Sequence, residues 1–167
     1  MKLHERIPMN KALLLSLVLV ATPAAANASL DVTEEEIQCL ATNIYFESRN
    51  QSNLGKLAVG LVTLNRVDAK RWPNTICGVV KQAKTWGGII IRNKCQFSWY
   101  CDGLSDKIRD KGAYVDARKN AIDAILWHNA GHDFVGGATH YHTTKVNPYW
   151  NVNLSYISTI DDHIFYK

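Results

Sequence analysis

The segment from Leu54 to Val67 is apolar nearly all the way round at helical spacing, and this constrains the chain more than any other feature. A helix with no polar face must be enclosed by other elements, so the sequence predicts one domain built around it. A polar break, Asn50 to Asn53, precedes it, and Asn65 and Arg66 supply polar groups at its end. Upstream, Thr33 and Glu36 have the spacing of a reciprocal N-terminal cap, and Ile37, Leu40, Ala41, Ile44 and Ser48 recur on one stripe. These signals predict a first helix from about Thr33 to Ser48. At about 100° per residue Glu47 falls beside Leu40 and Ile44, at the margin of that stripe and in the last turn.

Further along, Trp72-Pro73-Asn74-Thr75 reads as a turn into a short helix through Val79 and Val80. Gly87-Gly88 before Ile89 to Ile91 reads as a hairpin, and Gln96 to Tyr100 as an exposed aromatic loop. Tyr114, Ala117, Ala121 and Ile125 predict another helix ending near Gly131. The C-terminal third, with the run Tyr156 to Ile160 and then Phe165 and Tyr166, suggests loops and a small antiparallel sheet. The expected class is therefore α+β, mainly α, with a small C-terminal antiparallel β element.

The N-terminus carries a different kind of signal. Lys2, Arg6 and Lys11 precede an apolar run, Ala12 to Ala21, that is short for a bilayer span, and Ala26-Asn27-Ala28 has small residues at cleavage spacing. Residues 1–28 are expected to be a signal peptide and residues 29–167 the catalytic domain, secreted or periplasmic, with no membrane span once the leader is removed. An uncleaved anchor is the competing reading. In an oxidising compartment the four cysteines suggest two disulfides with three possible connectivities. Cys95 with Cys101 is the first choice, closing a short loop, which leaves Cys39 with Cys77. No Cys-x-x-Cys spacing supports a zinc site. The formal charge of +4 is too small and scattered for nucleic acid, but suits an anionic polymer.

Glycosidic cleavage needs a protonated acid at the leaving oxygen, commonly a carboxyl group whose pKa is raised by apolar surroundings. Glu47, behind Tyr45 and Phe46 at the edge of the core, has that setting, with Arg49 pulling the other way. The run Asn43-Ile44-Tyr45-Phe46-Glu47-Ser48-Arg49 continues through Gly55, Asn65-Arg66-Val67, Thr75-Ile76-Cys77-Gly78, Gln96-Phe97-Ser98 and Gly137-Ala138-Thr139-His140-Tyr141-His142 to Phe165-Tyr166. In this ordered pattern the chain resembles the SleB-type cell wall hydrolase family, over essentially all of its length past residue 29. The resemblance implies a lysozyme-like domain acting on peptidoglycan glycan strands, with Glu47 as the catalytic acid and no cofactor.

One departure matters. The family often has a second Glu four residues on, where this chain has Gln51, so a paired-carboxylate mechanism would need Asp102 or Asp133. A one-carboxylate lytic transglycosylase mechanism is favoured, and Gln51→Glu is expected to be tolerated. Tyr45, Asn65, Gln96, Phe97, Ser98, His140, Tyr141 and His142 are the expected substrate contacts, through ring stacking or hydrogen bonds to acetamido and hydroxyl groups. The chain is expected to act as a monomer. The rival reading is a zinc-dependent peptidoglycan amidase or peptidase. In it His140 and His142, alternating on a strand, share a face and join His163. A third class, a non-catalytic wall-binding module, would adhere to walls without clearing them.

Overall fold

The structure is a computed structural model and describes residues 32–167. The expected leader, residues 1–28, lies outside the described residues. The first helix, α1 (Glu34–Ser48), starts where Thr33 Oγ1 accepts the Glu36 N–H at 3.3 Å. Only half of the expected reciprocal cap forms. Glu36 Oε2 instead accepts the N–H groups of Ile76 at 2.6 Å and Cys77 at 3.2 Å, capping α3 (Ile76–Val80) and tying it to α1. The disulfide Cys39–Cys77 joins the same two helices. A second disulfide, Cys95–Cys101, closes the short loop.

The enclosed helix is α2 (Asn53–Asp68), with twelve buried residues that include Lys56, Thr63 and Arg66, and α1, α3 and α4 (Lys111–Asn129) pack around it. Gly60 sets how near α4 can come. A Cβ there would lie 2.8 Å from the Cβ of Ala124, closer than packed carbons tolerate, so the missing side chain lets the helices touch. Ala117, Ala121 and Ala124 give α4 a correspondingly shallow face. Lys56 pairs with Asp116 across this contact. Asp110 caps α4, its Oδ1 accepting the Ala113 N–H at 2.9 Å.

Two small antiparallel sheets complete the domain. β1 (Ala83–Trp86) and β2 (Ile89–Cys95) form a hairpin whose turn residues Gly87 and Gly88 have φ of 57° and 81°, conformations that glycine adopts without strain. β3 (His140–Thr143), β4 (Tyr156–Ile160) and β5 (His163–Tyr166) pair in the order β3-β5-β4. The segment expected to be an exposed aromatic loop is instead a 3-10 turn, Ser98–Cys101, entered from a core residue: Phe97 is only 3% exposed. Trp99 is pinned as well, its Nε1 donating to Asn43 Oδ1 at 2.9 Å, and Asn43 is itself fully buried and donates to Thr63 Oγ1. A buried amide that satisfies partners on two elements fixes the turn against α1 and α2.

Candidate active site

Glu47 sits in the last turn of α1 at one side of a pocket of about 160 Å³, lined also by Arg66, Cys95, Gln96, Phe97, Ser98 and Tyr141. Three separate elements meet there. α2 brings Arg66, the disulfide-closed turn brings Gln96 and Ser98, and β3 brings Tyr141. The Tyr141 hydroxyl donates to Glu47 Oε2 at 2.9 Å. Burial pushes the Glu47 carboxyl above its ordinary value, and the Tyr141 hydrogen bond and the Arg66 charge pull it back only in part. Tyr141 is held well above its own ordinary value by burial and by the facing carboxyl, so it remains a neutral donor. No other carboxylate among the described residues lines the pocket.

Arg66 is the site residue that the sequence pattern concealed. Expected to end α2 as a polar group, it is 5% exposed and turned inward. Its Nε donates to the Thr139 carbonyl at 2.7 Å, and its guanidinium lies over the rings of Trp72 at 4.5 Å and Phe97 at 5.0 Å. The signal was an arginine in a helix apolar on every face, which needs internal partners. Because Arg66 covers the buried Phe97 ring, Phe97 supports the pocket wall and offers a sugar little free face.

The other expected contacts divide. Gln96 and Ser98 are exposed and line the pocket with Glu47. Tyr45 is buried, and its hydroxyl accepts the Asp110 N–H at 3.2 Å, bracing the entry to α4 beside a different groove. Asn65 donates to Asp133 Oδ2 and to the Ala138 carbonyl, both at 3.1 Å, so it clamps a loop. His140 packs edge-on to Trp72 and against Trp150, and burial lowers its pKa to about 4, with Arg66 and Arg71 adding to the effect. His142 is buried, with one ring nitrogen against the Thr143 carbonyl and the other 3.0 Å from the Tyr166 hydroxyl.

The strand register also splits the histidine set. His140 and His142 do share a face, both contacting Trp150. His163, however, pairs with Thr143 and packs its ring on Tyr141 at 5.2 Å, on the opposite face of the sheet. The three cannot converge on one ion, so the zinc reading fails on geometry. The proposed second carboxylates are also engaged elsewhere. Asp133 accepts N–H groups from Val135 and Gly137 and the Asn65 amide, closing a turn, while Asp102 accepts the Leu104 N–H on a neighbouring groove.

The profile of the Cell Wall Hydrolase family matches residues 50–166, a span that begins just after the turn carrying Glu47. The chain belongs to that family. It is 29% identical over 136 residues to the spore cortex-lytic enzyme of Bacillus cereus, covering 81% of this chain and 45% of that protein. To the spore cortex-lytic enzyme of Halalkalibacterium halodurans it is 28% identical, covering 84% and 37%. The chain thus spans under half the length of these relatives. Among solved structures it is similar to the catalytic domain of the germination-specific lytic transglycosylase SleB from Bacillus anthracis. That match has a TM-score of 0.63 at 29% identity and covers 83% of this chain and 98% of that one. The catalytic domain of the Bacillus cereus SleB protein gives 0.62 at 28%, covering 87% and 100%. The fold of this cell wall hydrolase is accordingly lysozyme-like.

Gln51, the departure from the two-Glu pattern, has a structural task. Its Nε2 donates to Asp162 Oδ2 at 3.2 Å and its Oε1 accepts the Asp162 N–H at 3.1 Å, clasping the end of α1 to the β4–β5 turn. The expected tolerance of Gln51→Glu therefore comes with a stability cost. Glutamate would lose the donor and set a second carboxylate against Asp162, at a cost of about 1 kcal/mol near neutral pH. Mutual repulsion raises the folded pKa of such a pair above the unfolded one, so stability is retained at acid pH and lost as pH rises. Melting temperatures of wild type and Gln51→Glu should therefore diverge near pH 7 and converge near pH 4.

Proposed function

We propose that this chain is an exported lytic transglycosylase that acts as a monomer on peptidoglycan, cutting the β-1,4 bond between N-acetylmuramic acid and N-acetylglucosamine. The observation that carries this reading is a half-buried carboxyl, Glu47, the one carboxyl that lines the pocket among the described residues, favoured in its protonated form by desolvation and held by a neutral hydroxyl. Membership of the cell wall hydrolase family and the likeness to the lytic transglycosylase domain from Bacillus anthracis support it.

In this mechanism the Glu47 carboxyl gives its proton to the glycosidic oxygen as the bond from muramic acid C1 to that oxygen breaks. The oxygen leaves as the hydroxyl of N-acetylglucosamine. The Glu47 carboxylate then takes the proton of the muramic acid C6 hydroxyl, whose oxygen bonds to C1 and closes an anhydro ring. Glu47 ends protonated, as it began, and no water is consumed. The role of Tyr141 is to hold the carboxyl in one orientation through both transfers. Gln96 and Ser98 are suited to hydrogen-bond acetamido and hydroxyl groups of the bound sugars.

Mass spectrometry of digested, purified wall tests the proposal. Products ending in anhydromuramic acid, lighter by one water than reducing ends, are expected. Reducing ends alone would make the enzyme a hydrolase, and new amino groups without glycan cleavage would make it an amidase or peptidase.

A further inference from the structure

The hairpin of β1 and β2 carries its largest apolar side chains at its tip. Trp86 and Ile89, paired directly across the Gly87-Gly88 turn, are 82% and 74% exposed, and Ile90 beside them is 41% exposed. One such side chain on a surface means little, but several gathered at one tip mark a contact surface. The flanks of the same hairpin are cationic. Lys84, Arg92 and Lys94 are exposed and form no ion pair among the described residues. No Asp or Glu occurs between Asp68 and Asp102. Asp102 meets Arg92 through its backbone carbonyl, which accepts the Arg92 Nε–H at 2.8 Å, while its carboxylate accepts the Leu104 N–H. The hairpin therefore presents an apolar tip set in positive charge that its own carboxylates do not balance.

Each part of that surface matches a layer of a lipid membrane. Tryptophan favours the boundary between water and lipid, isoleucine gains from acyl chains, and lysine and arginine beside them gain from anionic headgroups. A glycan strand could stack on Trp86, but its hydroxyl-covered sugars offer Ile89 and Ile90 little. We propose that the hairpin tip docks on an anionic phospholipid surface, with Trp86, Ile89 and Ile90 entering the headgroup boundary and Lys84, Arg92 and Lys94 meeting lipid phosphates. β2 runs from Ile89 at the tip to Cys95 at the Glu47 pocket, six residue steps that span about 20 Å. Docking then tethers the enzyme to a membrane and keeps the pocket clear of the lipid, within reach of wall beside it.

The experiment measures binding of the exported protein, with one N-terminus throughout, to vesicles of equal parts phosphatidylglycerol and phosphatidylcholine and to vesicles of phosphatidylcholine alone. Wild type should prefer the anionic vesicles by about a hundredfold, the scale of three cations beside a charged surface, and added salt should erode the preference. Lys84→Glu/Lys94→Glu should abolish that preference, and Trp86→Ser/Ile89→Ser should weaken binding by about tenfold or more. Trp86→Phe should still bind, but without the full blue shift of tryptophan emission that wild type shows on the vesicles. These side chains are exposed, so all the variants should melt with wild type and clear purified, lipid-free wall at its rate. Equal binding to both vesicles, or anionic binding that survives both folded double variants, would overturn the docking site. Slower wall clearing by Trp86→Ser/Ile89→Ser with vesicle binding intact would make the tip a contact for the wall and overturn it too. The products released at Glu47 test the transglycosylase reading separately.

Discussion

Glu47→Gln should fold as wild type and lose activity on purified peptidoglycan by about a hundredfold or more, the scale of a lost general acid. The amide keeps the size of the carboxyl, and its oxygen can still accept the Tyr141 hydroxyl, so what disappears is the proton to donate. The wild-type rate should fall as pH rises through the Glu47 pKa, because only the protonated form is competent. Burial holds that pKa above the ordinary carboxylate value, so the descending limb should lie at higher pH than an exposed Glu would give. Stability carries the same sign. With the folded pKa raised, the contribution of Glu47 is fully present below its unfolded pKa and is lost as pH rises through the folded one. At neutral pH Glu47→Gln should therefore melt no lower than wild type. Turbidity clearing alongside thermal melts checks both halves, and a folded variant that clears wall at the wild-type rate would end the mechanism.

Removing the Cys39–Cys77 disulfide should have the largest effect on stability. Its residues are 38 apart in sequence, and releasing a loop of that length to the unfolded chain costs about 4 kcal/mol. Cys39 is also a core residue, in the pair of helices that Glu36 ties together. The Cys95–Cys101 loop, with a separation of 6, is worth about 2 kcal/mol by the same reasoning. Activity should rank the other way. Cys95 lines the Glu47 pocket and its loop carries Gln96 and Ser98, so Cys95→Ala/Cys101→Ala should lower turnover more than Cys39→Ala/Cys77→Ala at temperatures where both are folded. Urea denaturation midpoints and initial rates of the two double variants test this, and equal midpoints would contradict the loop-length account.

Local sequence determined the helices and the place of Glu47 on the first of them. The spacing of Leu40, Ala41, Ile44 and Ser48, the cap at Thr33 and the all-round apolar run of α2 each express backbone periodicity and nearest-neighbour hydrogen bonding, which short windows record. They placed Glu47 at the margin of the core correctly. Glycine chemistry likewise announced the hairpin at Gly87-Gly88. What short windows cannot record is which of several polar partners a buried group meets across the fold.

Tertiary structure alone decided those partnerships. Glu36 spans 40 residues to cap α3 in preference to its own helix, and Gln51 reaches 111 residues to Asp162. Arg66 turns inward because the Thr139 carbonyl and two aromatic faces wait for it. The fate of the histidines depended on the pairing of β3 with β5: the register that sets His163 opposite Thr143 puts it behind the sheet from His140 and His142. A strand's own alternation tells which of its residues share a face, but only the neighbouring strand's register tells which residues join them.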